Sequence, residues 1–165
     1  MENFIKTLIK IRDEYPPEER WRVVPEDTKN GIVTSNGSTY AVHEDGNITS
    51  LCVKKNGQER GSVVLKRAIK EGGTKLQAFG KKLFKFYTKN GFRPISWVKF
   101  DPALSPEGWI PKYNEEPLIF YAYDETLQNQ PEQSFISFMY MTKPCKCATE
   151  AYSLRDEWIK TRKEK

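Results

Sequence analysis

The sequence has one histidine, three cysteines and no long hydrophobic run, and each shortage removes a class of function. The longest uncharged apolar runs, such as Leu118 to Tyr123, are five or six residues. A bilayer span takes roughly 20. Lys6, Lys10, Arg12, Asp13 and Glu14 break up any apolar stretch near Met1, so a secretory signal is not expected. Three cysteines cannot pair completely, which argues against a disulfide scaffold and predicts a reducing, cytoplasmic setting. A zinc site needs four ligands, and Cys145-Lys146-Cys147 would have to recruit Cys52 and His43. No metal is expected. His43 adjoins an Asp-Gly turn and reads as a surface strand residue, and Cys52 reads as buried packing.

What is present suits one soluble domain spanning residues 1–165. The chain is 38% hydrophobic and 13% aromatic, enough to build a core. Its charge is uneven. From Val53 to Phe100 there are thirteen basic residues against two acidic ones, a net +11 within a chain of net +5. Such a field attracts polyanions, either nucleic acid or a phosphorylated cofactor. Two solvated helix faces would account for about half of these lysines. No recognised nucleic-acid motif accompanies them, and charge alone does not choose.

Periodicity sets the elements. Phe4, Ile5, Leu8, Ile9 and Ile11 predict an amphipathic helix over 3–14, stopped by Pro16-Pro17. Residues 38–43 and 48–53 read as strands joined by a tight Asp45-Gly46 turn. A helix from Val63 runs to Gly72-Gly73, a strand covers 74–79, and a second helix carries Leu83, Phe84 and Tyr87 to Asn90-Gly91. Strands are expected at 95–100, 118–123 and around 135–141. A closing helix over 148–163 should turn Ala151, Leu154 and Trp158 inward. The order predicts an α/β fold with a mixed sheet between helices.

The join at 51–65 carries the chemistry. A strand ends, a glycine-containing loop turns, and a helix begins, so free backbone N–H groups and the positive helix end converge on one spot. Gly61 admits close approach and Arg60 adds charge. Neither a P-loop nor a Gly-x-Gly-x-x-Gly pattern is present.

Gln58-Glu59-Arg60-Gly61-Ser62-Val63 resembles the Gln/Arg-x-x-Gly-x-Gly/Ala motif of the GNAT (Gcn5-related N-acetyltransferase) superfamily. Leu83 to Phe92, ending in Lys89-Asn90-Gly91-Phe92, resembles the family's Leu-Tyr-x-Lys-x-Gly-Phe helix end. The register covers about 38–123, and its run at 92–98 is similar to GNAT-like proteins of phages and prophages. The resemblance implies a mostly antiparallel central sheet with flanking helices and a V-shaped opening for acetyl-CoA, between the strand ending near Val53 and the strand at 74–79. Its pyrophosphate would meet Gln58, Glu59, Arg60, Gly61, Ser62 and Val63, and its pantetheine arm would run along Leu51, Cys52 and Val53. Tyr87 would be the general acid returning a proton to the CoA thiolate, with the acetyl group passing directly to a primary amine. Val63 stands where the motif has its second glycine or alanine, so a branched side chain is expected to crowd the pyrophosphate. Glu59, Glu44 and Asp45 are not placed as a general base, and Gly80 offers no side chain after the strand. The acceptor is a small molecule or a protein, and Trp109 is expected to line its pocket. The alternative is a non-catalytic module of the same fold whose basic face takes an acidic or nucleic-acid partner.

Overall fold

The computed structural model describes residues 2–15, 31–34, 37–53, 60–99, 116–129 and 132–163. It is a mixed α/β protein, as expected, and its named strands form two three-stranded antiparallel sheets. The chain divides into two compact units, one with the described residues up to Thr74 and one with those from Lys75.

In the first unit the apolar spacing of the opening segment becomes α1 (Glu2–Glu14). Phe4, Leu8 and Ile11 recur at one helical face and are buried in a cluster with Cys52. Each such side chain contributes roughly 1.5–3 kcal/mol when fully buried. Strands β1 (Ile32–Val33), β2 (Thr39–Val42) and β3 (Ile48–Cys52) lie in that spatial order. The β2–β3 turn closes through the His43 N–H on the Asn47 carbonyl at 2.9 Å, and Gly46 supplies the required φ of 91°. Helix α2 (Gly61–Lys70) buries Val64, Leu65 and Ala68. It stops where the N–H groups of Gly72 and Gly73 turn back onto the Ile69 and Ala68 carbonyls.

In the second unit β4 (Lys75–Phe79) runs straight into α3 (Gly80–Lys89), followed by β5 (Phe92–Val98) and β6 (Leu118–Tyr123). The spatial order is β4-β6-β5, with β6 antiparallel to both neighbours. Thus α3 links two strands of the same direction with β6 between them. Pro94 is accommodated because β5 is an edge strand, and the ladder is irregular between Pro94 and Ser96. Alternation along β6 sorts the two faces of the sheet. Tyr121 meets Phe84 and Tyr87 of α3, whereas Phe120 meets Tyr152 of the closing helix α5 (Ala148–Lys163).

Two expectations are corrected. Residues 135–141 form a helix, α4 (Phe135–Met141), rather than a strand. Their aromatic and β-branched content suits a strand, but the Ser134 hydroxyl accepts the Ser137 N–H at 3.2 Å and caps a helix. Phe135 and Phe138, three residues apart, then both reach the Phe84 ring. Ile136, Tyr140 and Met141 stay exposed.

In α5, Ala151 is buried but Leu154 is 50% exposed, and Arg155 takes the inward place at 1%. Its guanidinium donates to the Leu76 carbonyl at 3.0 Å and to Gln77 Oε1 at 2.9 Å, and it lies over the rings of Phe120 and Tyr152. A charge so partnered can replace an apolar anchor. Trp158 is half-buried under Arg162. Beyond it, the buried Asp124 carboxylate receives Arg93 and Arg162 and fastens the end of α5 to β5 and β6. Among the described residues no helix is long and apolar enough to cross a membrane.

Candidate functional site

The first unit contains a strand-to-helix join. Its strand is irregular where the sequence reading placed a ligand. Thr39 pairs with Cys52 but Ala41 pairs with Thr49, so β3 holds one residue more than β2 over this stretch. The extra residue is a bulge, and Ser50 takes a φ of 54°, the one positive φ outside glycine among the described residues. A left-handed serine costs of order 1–3 kcal/mol. The Thr39 hydroxyl, donating to the Ser50 carbonyl at 2.9 Å, helps to hold it. A bulge re-aims the residues that follow, here half-buried Leu51, buried Cys52 and half-buried Val53. Burial pushes the Cys52 thiol up to about 11, against opposing hydrogen bonds with Tyr15 and Thr39, so it is no nucleophile at neutral pH.

The helix after the join is bare at its positive end. Arg60 takes the N-cap position in an extended conformation, its side chain makes no capping bond, and the first turn holds no acid. Helix geometry leaves the N–H groups of Gly61 and Ser62 without an intrahelical acceptor. The Val63 N–H is satisfied by the Arg60 carbonyl at 3.0 Å. The Val63 side chain is 47% exposed on the outside of the first turn. The helix thus opens on two amides without an intrahelical acceptor, with exposed Arg60 at its N-cap and half-buried Ser62 in its first turn, an arrangement that suits an anion. Gln58 and Glu59, assigned to the same site by sequence, lie outside the described residues, as do Trp21 and Trp109.

In the second unit Tyr87 lies on the inner face of α3, 8% exposed. Its ring lies 5.5 Å from Tyr121, 5.0 Å from Phe86 and 6.0 Å from Phe92, centre to centre. The Tyr121 hydroxyl is fully buried and has no hydrogen-bond partner among the described residues. Burial first, and the neighbouring Tyr87 second, hold the Tyr121 phenol well above its ordinary range. Tyr121 therefore stays protonated at neutral pH.

Sequence reasoning missed Glu116. Gly80 has a φ of 88°, and a Cβ built there would lie 2.6 Å from Glu116 Oε1. The Gly80 N–H also donates to the Pro117 carbonyl at 3.0 Å. The side chain that Gly80 lacks after β4 is thus supplied by Glu116 from the entry to β6. Only the β4–β6 register brings these residues together, and no local spacing announces it.

The remaining candidates have structural surroundings. His43 Nε2 is 2.8 Å from the Thr49 hydroxyl across the hairpin. Cys145 is buried beside Val98, Cys147 is exposed, and all three cysteines are free. No group of three or more metal-ligating side chains gathers among the described residues. Trp97 donates its indole N–H to the Thr142 carbonyl at 2.6 Å. Comparison of the chain with protein-family models, curated proteins and solved structures finds no match in any of the three.

Proposed function

We propose that the protein is an acyl-CoA-dependent N-acetyltransferase with a GNAT-like fold, acting on a primary amine. One observation carries the reading. A bulged strand, strained at Ser50, leads toward a helix whose N-terminus has no side-chain cap and no acid in its first turn. Strain at such a position is kept where function needs it, and a bare helix start is suited to phosphate.

The residues present fit a CoA pyrophosphate. The Gly61 and Ser62 amides, the Ser62 hydroxyl and the Arg60 guanidinium are the groups that would hold it. Val63 stands outside them, because its N–H is already spent on Arg60. Leu51 and Val53, half-buried beyond the bulge, offer backbone groups to an extended pantetheine arm. Acetyl-CoA, when bound, supplies an activated thioester whose carbonyl carbon the amine attacks, with loss of the C–S bond. In this scheme Tyr87 holds a proton at Oη for the departing thiolate, and the amine gives up its own proton to water. A phenol is an adequate donor to a thiolate. The rings of Phe86, Phe92 and Tyr121 pack around Tyr87 and keep its surroundings largely apolar.

The test is transfer of acetyl from acetyl-CoA to a panel of primary amines, read as free thiol released. Tyr87→Phe keeps the ring and removes the proton. It should lower kcat by about 100-fold with an unchanged melting temperature. Full activity in Tyr87→Phe would remove Tyr87 from the scheme. Absence of transfer to every amine would count against the enzyme.

A further inference from the structure

Helix α3 has a second face that the acetyl-transfer reading leaves unused. Its inner side carries Phe84, Tyr87 and Thr88, all buried. Its outer side carries Lys81, Lys82, Lys85 and Lys89, all exposed. At 3.6 residues per turn these four fall within an arc of about 100° and run about 12 Å along the axis. The ten residues of α3 include no acid.

None of the four lysines takes part in an ion pair or a side-chain hydrogen bond among the described residues. Four other cations of the same unit are paired. Lys75 pairs with Asp156, Arg93 and Arg162 with Asp124, and Arg155 with Gln77 and Asp156. The Glu116 carboxylate lies against Gly80, the first residue of α3.

The arrangement works against the helix itself. Lys81 with Lys85, and Lys85 with Lys89, are like charges four residues apart, and Lys82 with Lys85 three apart, spacings at which like charges repel. Lys81 and Lys82 also occupy the first turn, the end of a helix that disfavours cations. Folded chains tend to break such a local rule at functional sites. Helix α5 provides the contrast, with Glu150, Asp156 and Glu157 interspersed among Arg155, Lys160 and Arg162.

We propose that the outer face of α3 binds the phosphate backbone of a nucleic acid, without reading its sequence. Lysines are point charges that meet phosphates but lack the planar fork that reads base edges. Their continuous stripe suits a regular line of charge, and a duplex carries about one charge per 1.7 Å of axis. Half-buried Phe86 borders the stripe and adds a ring on which an unpaired base can stack. The inference is independent of acetyl transfer.

The experiment is fluorescence polarisation with labelled 24-nucleotide DNA, single- and double-stranded, between 50 and 200 mM KCl. Four phosphate contacts predict a slope of log K against log salt of about −3.6 on duplex. The variant Lys81→Gln/Lys85→Gln/Lys89→Gln should bind at least tenfold more weakly at 50 mM salt, with a slope near −1. It should melt at the same or a higher temperature, because its like-charge repulsions are gone. Lys66→Gln/Lys70→Gln, which removes exposed charge from α2, should bind within about twofold of the native chain. Three results would overturn the proposal: no binding by the native chain at 50 mM salt, equal loss in the α2 variant, or polyglutamate competing as well as unlabelled DNA. The last would point to an acidic protein instead.

Discussion

Each unit contains one join from a strand into a ten-residue helix, and the two joins are finished differently. At β4–α3 the chain turns through Gly80 at φ 88°, the Gly80 N–H is taken by the Pro117 carbonyl, and the Glu116 carboxylate closes over the glycine. At β3–α2 the strand is bulged and the helix opens at Gly61, and neither helix has a side-chain cap. Neither helix has an acid in its first turn, but α3 receives one from elsewhere in the chain. A carboxylate of the chain therefore stands beside the start of α3, and α2 has no acid in its first turn. On the proposed reading, the difference separates a structural join from one that takes an outside anion.

The largest effect should come from breaking the support of the closed join. Arg155 holds β4 through the Leu76 carbonyl and Gln77, so Arg155→Ala strands buried polar groups and should cost roughly 3–5 kcal/mol. Chemical denaturation would measure it. A loss below about 1 kcal/mol would mean that water replaces the guanidinium. Next come the two glycines. Gly80→Ala forces a Cβ into Glu116 at an unfavourable φ and should cost about 1–3 kcal/mol. Gly61→Ala should leave stability within about 0.5 kcal/mol yet weaken acetyl-CoA binding. Equal melting of the two variants would erase the distinction between the joins.

The smallest effect is set by pH. Burial opposes ionisation of Asp124, but hydrogen bonds from Thr126 and Arg93 outweigh it and lower its pKa below the ordinary 3.8. A depressed carboxylate stabilises the fold above its unfolded value and loses that contribution as pH falls through its folded one. The melting temperature should therefore drop below about pH 4, and Asp124→Asn should flatten the drop while lowering stability at neutral pH. An unchanged acid limb in Asp124→Asn would assign the loss to other carboxylates.

What the sequence made legible was local. The spacing of Phe4, Leu8 and Ile11 gave α1, Asp45-Gly46 gave the hairpin, and Gly72 and Asn90-Gly91 ended α2 and α3 where expected. The strand at 118–123 and the helix at 148–163 fell on their predicted residues. What escaped depends on distant partners. Residues 135–141 have strand-like composition, and a single serine cap with two phenylalanines on Phe84 makes them helical. Arg155 looks like a surface residue until its guanidinium meets β4, 79 residues away in sequence. Glu116 meets Gly80 only through the β4–β6 ladder, and the bulge at Ser50 arises from pairing with β2. Of the candidate site, the start of α2 and the inner position of Tyr87 could be read in advance, whereas the strained strand leading to it could not.

The most direct test of the open join is a thermal melt with and without acetyl-CoA, on the native chain and on Gly61→Ala. At 100 times its dissociation constant a ligand stabilises the native state by about 2.7 kcal/mol, a shift of several degrees at this size. The account predicts that shift for the native chain and a smaller one for Gly61→Ala at the same concentration. No shift in the native chain at millimolar acetyl-CoA would contradict it.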